Sequence, residues 1–78
     1  MVYHKISEII CSQLDLQPEE INENTEFVKD LVIDSLEMVE IMMAVEDSFD
    51  LPETDSADLI AIVSIGDLVR YIETHSKS

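Results

Sequence analysis

Glycine is nearly missing from this 78-residue chain: Gly66 stands alone, beside two prolines, one cysteine and no tryptophan. Without glycine turns, and without runs of β-branched residues in strict alternation, hairpins and sheets have little to build on. A single cysteine, Cys11, cannot close an internal disulfide. That argues against a disulfide-stapled secreted domain and favours a reducing compartment, the cytoplasm. Basic residues are scarce too, four (Lys5, Lys29, Arg70 and Lys77) against eighteen acidic ones, for a net charge of −14. Nucleic-acid binding is excluded, because it needs Lys and Arg to replace phosphate counterions. Adhesion to anionic membranes is disfavoured for the same reason. No apolar run approaches the ~20 residues of a membrane span, and the first fourteen residues lack the charged segment and apolar block of a secretory signal. Neither membrane insertion nor export is expected. A single domain over residues 1–78 is the organisation that this length permits. Its core should yield only about 3–5 kcal/mol of net stability, with no room for a deep active-site cavity.

What the chain does have is helical periodicity. Val2, Tyr3, Ile6, Ile9, Ile10 and Leu14 form an i, i+3, i+4 stripe, one apolar face of a first helix. Cys11 falls off that stripe, as a partly exposed bystander. From Asp15 to Asp34 the period breaks. Pro18, with Glu19 and Glu20 behind it, suits the opening of one helical turn, and Leu16, Ile21, Phe27 and Leu31 read as anchors of an otherwise long loop. A second helix is predicted from about Ser35 to Phe49, a short helical piece from Ala57 to Ile62, and a last helix through about Thr74. Ser64 and Asp67 have capping-box spacing at the start of that last helix, and its stripe is Ile65, Leu68, Val69 and Ile72. The predicted fold is all-α: a small bundle of three main helices and one short helix, with a long loop after the first.

The second helix has more apolar surface than a core needs. At 100° per residue, Met38, Ile41, Met42, Val45 and Phe49 complete one buried stripe. Leu36, Val39 and Met43 lie on the opposite side, among Glu40, Glu46 and Asp47. Packing against the long loop is one explanation and suits Val39 in part. The other is a small apolar patch with an acidic rim, the anatomy of a transient docking surface for a basic partner, and it suits Leu36 and Met43. The helix start carries the second signal. Asp34 fits the N-cap, Glu37 three residues on closes a capping box, and Ser35 takes the first helical position. A phosphate on that hydroxyl would lie near unpaired N–H groups and the positive end of the helix dipole, a placement worth roughly 0.3–1 kcal/mol. Read from the residues alone, Ser35 is either an ordinary helix-start serine or such an attachment point.

The run Asp30-Leu31-Val32-Ile33-Asp34-Ser35-Leu36, followed by Val39-Glu40 and Glu46-Asp47-Ser48-Phe49, resembles the acyl carrier protein signature. Thr25-Glu26-Phe27 upstream, and Ile62 to Asp67 with Tyr71-Ile72 downstream, extend the resemblance over nearly the whole chain. It implies a carrier, not an enzyme. Ser35 would receive 4′-phosphopantetheine from coenzyme A through a phosphopantetheinyl transferase, and Asp34 would help that transferase engage. Leu36, Glu37, Glu40, Met43, Glu46 and Asp47 would form the recognition face for acyl-transfer and chain-elongation enzymes with basic docking patches. The cargo would be acyl groups held as thioesters and delivered to fatty-acid or polyketide-type enzymes by a monomeric carrier. The resemblance also implies shelter for the acyl chain between the second and short third helices, by residues such as Met42, Val45, Leu59 and Ile62, for which simple core packing is an equal alternative. Two positions depart from the family pattern. Val32 replaces the usual glycine two residues before the aspartate; a positive φ there would strain valine by about 1–2 kcal/mol, so a different turn is expected. The spacing of Leu51 to Asp55 ahead of the third helix is also altered.

Three other functions are weaker. A serine hydrolase needs a histidine base held by a third group, and only His4 and His75 exist, one at each end. An EF-hand reading of Asp47 to Asp58 places Pro52 at the sixth loop position, where the sharp turn requires glycine; no metal is expected. An acidic helical adaptor without a prosthetic group shares every feature of the carrier except the fate of Ser35.

Overall fold

Every residue of the first apolar stripe turns to the same side. The computed structural model describes residues 2–75; Met1 and residues 76–78, Lys77 among them, lie outside it. Helix α1 spans Val2–Leu14 and buries Ile6 and Ile10 completely, with Val2, Tyr3, Ile9 and Leu14 packed beside them. It ends at Asp15 in the left-handed region (φ 57°), where the Leu16 N–H donates to the Cys11 carbonyl at 3.0 Å. Cys11 is half-buried and unpaired, as its place off the stripe predicts.

The expected single turn after α1 is a 3-10 turn, Pro18–Glu20. Helix α2 covers Ser35–Phe49, α3 covers Ser56–Ala61 and α4 covers Ile65–His75. The short helix thus begins one residue earlier than the pattern suggests, because Asp55 caps it: Oδ1 accepts the Asp58 N–H at 2.9 Å. The principal dimensions are 29 × 25 × 19 Å. The core joins Ile6 and Ile10 of α1 to Ile41, Met42 and Val45 of α2 and to Ile65, Leu68 and Ile72 of α4. Met38 and Phe49, assigned to the same stripe of α2, are only partly buried at its ends.

The long loop between α1 and α2 is held, not free. Ile21, Phe27 and Ile33 insert into the core, Phe27 at 1 % exposure, while Leu16 and Leu31 pack partly against it. Backbone bonds then fasten the loop to the start of α4: Phe27 N–H to the Val63 carbonyl (3.0 Å), Ile65 N–H to Thr25 (2.9 Å) and Gly66 N–H to Glu23 (2.8 Å). A β-carbon on Gly66 would sit 3.0 Å from that Glu23 carbonyl oxygen, so the chain's one glycine permits a close backbone approach. The altered segment before α3 is tied as well, since Glu46 Oε2 accepts the Thr54 N–H at 2.8 Å.

The turn at Val32 is not the different one expected. Val32 adopts φ 53°, the left-handed conformation itself. Hydrogen bonds on either side impose it: Asp30 and Leu31 N–H donate to the Glu26 carbonyl (3.0 and 3.2 Å), and Ile33 N–H to the Phe27 carbonyl (3.3 Å). Three non-glycine residues in the described chain take positive φ: Asp15, Val32 and Asp50. Aspartate tolerates the region through its short polar side chain; a β-branched residue does not, at a cost of about 1–3 kcal/mol.

Candidate functional site

Asp34, Ser35 and Glu37 stand together at the start of α2. Asp34 is extended (φ −98°, ψ −178°) and accepts the Glu37 N–H on Oδ1 at 2.8 Å, while Glu37 Oε1 accepts the Asp34 N–H at 3.2 Å. Both halves of the capping box are made. Because aspartate performs the capping, the Ser35 hydroxyl has no part in it and is exposed. Among the described residues nothing accepts the N–H of Ser35 or of Leu36. Two backbone donors at the positive end of a 15-residue helix therefore flank an unengaged hydroxyl. That arrangement fits a phosphodiester on Ser35.

On one side of Ser35 lies a cleft of about 520 Å³ whose exposed lining is mostly apolar. Phe27, Ile33 and Ile62 form its floor, Met38 and Leu59 its walls, and Val28, Val39, Ile60 and Val63 its rim. The residues expected to shelter an acyl chain divide here. Leu59 and Ile62 line the cleft; Met42 and Val45 do not, being core residues at 3 % and 0 % exposure. Val28, Ile60 and Val63 escaped the sequence reading, since one sits in irregular chain, one in a single short helix and one between helices. Helical periodicity carries no signal for such positions.

The opposite flank of α2 matches the projection. Leu36 and Met43 are 66 % and 62 % exposed, and Val39 at 40 % is shared with the cleft rim. Glu40 and, one turn beyond Met43, Asp47 are exposed as well. Met43, Glu40, Glu46 and Asp47 line a shallow acidic groove that continues to Asp50 and Leu51. Glu37 and Glu46, assigned to the same face, each have one carboxylate oxygen engaged by a backbone N–H. Each bond fixes the orientation of its side chain.

The start of α4 uses the same box differently. Ser64 is the cap, its Oγ accepting the Asp67 N–H at 3.1 Å, and Asp67 Oδ2 accepts the N–H groups of Val63 and Ser64, both at 3.1 Å. The Ser64 N–H, above all, holds the Asp67 carboxyl below its usual range; Val63 and Arg70 add to this, while partial burial opposes it.

A family model described as the phosphopantetheine attachment site matches residues 4–72. The chain is 42 % identical over 74 residues to the acyl carrier protein of Wolinella succinogenes, covering 95 % of this chain and 96 % of that protein. It is 39 % identical over 77 residues to the acyl carrier protein of Clostridium acetobutylicum, covering 99 % of both. The acyl carrier protein of Helicobacter pylori is 39 % identical over 72 residues, 92 % of this chain and 91 % of its own length.

Proposed function

The chain belongs to the acyl carrier protein family, carriers rather than catalysts whose cofactor is phosphopantetheine, and on that premise we propose that Ser35 is the attachment point and residues 1–78 a single carrier domain. The observation that carries the assignment is the open helix start: an exposed hydroxyl beside two unpaired N–H groups. When attached, 4′-phosphopantetheine supplies a terminal thiol that holds an acyl group as a thioester. The chain's own residues do the rest. The Ser35 and Leu36 N–H groups and the helix dipole favour the phosphate's negative charge. Asp34 fixes the serine at the first helical position. Residues around the cleft, Met38, Val39, Leu59 and Ile62 among them, offer apolar cover beside Ser35, while Met42 and Val45 belong to the core.

Leu36, Met43, Glu40 and Asp47, with Glu37 and Glu46, form the face read by partner enzymes: the phosphopantetheinyl transferase and acyl-transfer or chain-elongation enzymes of fatty-acid or polyketide type. The apolar members are exposed and the rim is acidic, so docking is rapid, salt-sensitive and weak. Weak docking suits a carrier, because slow release would stall the cargo, while the tether keeps its local concentration high. A monomer working in the cytoplasm accords with this; no helix among the described residues is long and apolar enough to cross a membrane.

Incubation with coenzyme A and a phosphopantetheinyl transferase, followed by intact-mass measurement, tests the proposal. The wild-type chain should gain one phosphopantetheine and Ser35→Ala none. A wild-type mass that stays unchanged would leave the acidic adaptor without a prosthetic group; a modified Ser35→Ala chain would move the site elsewhere.

A further inference from the structure

Val32 is disfavoured by its own backbone and unrewarded by packing. It sits at φ 53° and is 79 % exposed. The other two left-handed non-glycine positions hold aspartate, which that conformation suits. Neither local conformation nor core burial accounts for a β-branched apolar side chain here; a contact with another molecule would.

The surroundings indicate what that contact is. Val32 lines a groove of about 360 Å³, together with Leu14 at the end of α1, Leu16 just beyond it, and the carboxylates of Glu20, Asp30 and Glu37. Ile33 borders both this groove and the cleft, so the two lie on either side of the segment that enters Ser35. A backbone N–H holds one oxygen of each carboxylate: Gln17 N–H on Glu20 (2.8 Å), Glu26 N–H on Asp30 (2.8 Å) and Asp34 N–H on Glu37 (3.2 Å). The second oxygens are left over. The only ion pair among the described residues is Arg70 with Asp67, on α4. An apolar floor with an uncompensated, pre-oriented acidic rim is complementary to a long side chain that has an aliphatic stem and a cationic head.

We propose that this groove receives an arginine or lysine side chain of the phosphopantetheinyl transferase as it approaches Ser35, with Val32 as the apolar contact that sets affinity. The inference rests on the Ser35 reading and adds a second docking point, on the α1 side of the attachment segment, to the acidic face of α2. Glycine at position 32 keeps the same φ without strain and removes only the side chain.

The test is the steady-state kinetics of modification, with coenzyme A, a phosphopantetheinyl transferase that acts on bacterial acyl carrier proteins, and the unmodified full chain. Val32→Gly should raise Tm yet raise KM for the carrier roughly three- to tenfold at little change in kcat. Val32→Ile should keep a KM near wild type. Glu20→Gln should raise KM at low salt, with the difference fading at high salt. A purely structural role would not couple a gain in stability to a loss of affinity. Val32→Gly with an unchanged KM overturns the groove and leaves Ser35 standing; a wild-type chain that accepts no phosphopantetheine removes both. A wild-type dimer that Val32→Gly converts to monomer would give the groove to a second copy and overturn the transferase contact.

Discussion

Two helices of this protein begin with the same reciprocal box, and one start is closed while the other is open. At α4 the serine is the cap. The Ile65 and Gly66 N–H groups that follow are taken by the Thr25 and Glu23 carbonyls of the long loop, and the Asp67 N–H by Ser64 itself. Every donor of that first turn has a partner. At α2 the cap is Asp34, the serine is displaced by one residue into the helix, and the Ser35 and Leu36 donors face no acceptor among the described residues. A serine at the cap is consumed by its own helix. One residue later it is free for chemistry.

The largest contrast is between the two serines. Ser35→Ala should abolish phosphopantetheine transfer in the mass assay and leave Tm within experimental error, since the hydroxyl supports no hydrogen bond in the described structure. Ser64→Ala should accept the group normally and lose about 0.5–2 kcal/mol of stability in urea unfolding, the usual cost of a missing cap. If Ser35→Ala proved the less stable of the two, the open and closed descriptions would have to be exchanged.

Removing the cap at the open end should affect both properties. Asp34→Ala is expected to cost about 1–2 kcal/mol by the same measurement and to slow modification, because the helix entrance frays where the hydroxyl is presented. Equal modification rates would show that the box serves folding alone.

At the closed end, Gly66→Ala sharpens the role of the loop. Alanine gains up to about 1 kcal/mol in helix propensity. Its β-carbon meets a backbone carbonyl, however, and overpacking of that kind costs about 1–3 kcal/mol. A net loss of about 1 kcal/mol should appear in urea unfolding, with slower modification no part of it. A net gain would mean that loop and helix part easily.

The smallest effect expected is a dependence on pH. The folded Asp67 carboxyl lies below its ordinary value of 3.8, so its ionised form stabilises the fold. That stability is fully present above pH 3.8 and is lost as pH falls through the lower folded value. The Tm gap between wild type and Asp67→Asn should be widest near neutrality and close in acid. A gap that is constant with pH would assign the effect to shape rather than charge.

Much of this was legible in the residues. The stripe of α1, both capping boxes, the anchors Ile21 and Phe27, and the surplus apolar side of α2 follow from periodicity and from the short-range chemistry of Asp, Ser and Glu. Phase alone separated Ile41, Met42 and Val45 from Leu36 and Met43, and their burial agrees. Other features were not legible. The local cost of the left-handed turn argues against it at Val32, but the Asp30, Leu31 and Ile33 N–H groups, donating to the Glu26 and Phe27 carbonyls, hold the residue there. The resemblance leaves Met42 and Val45 between the acyl cleft and the core; both are buried in the core, and Met38 and Val39 line the cleft instead.

By itself, then, the sequence determined where α2 and α4 start, which side of α1, α2 and α4 is apolar, and that aspartate rather than serine caps α2, because these depend on neighbours within four positions. Only the tertiary structure decided which helix start stays open. Loop residues about forty positions away in sequence cover the donors of α4, and none covers those beside Ser35, a difference that arises from how the chain folds back on itself.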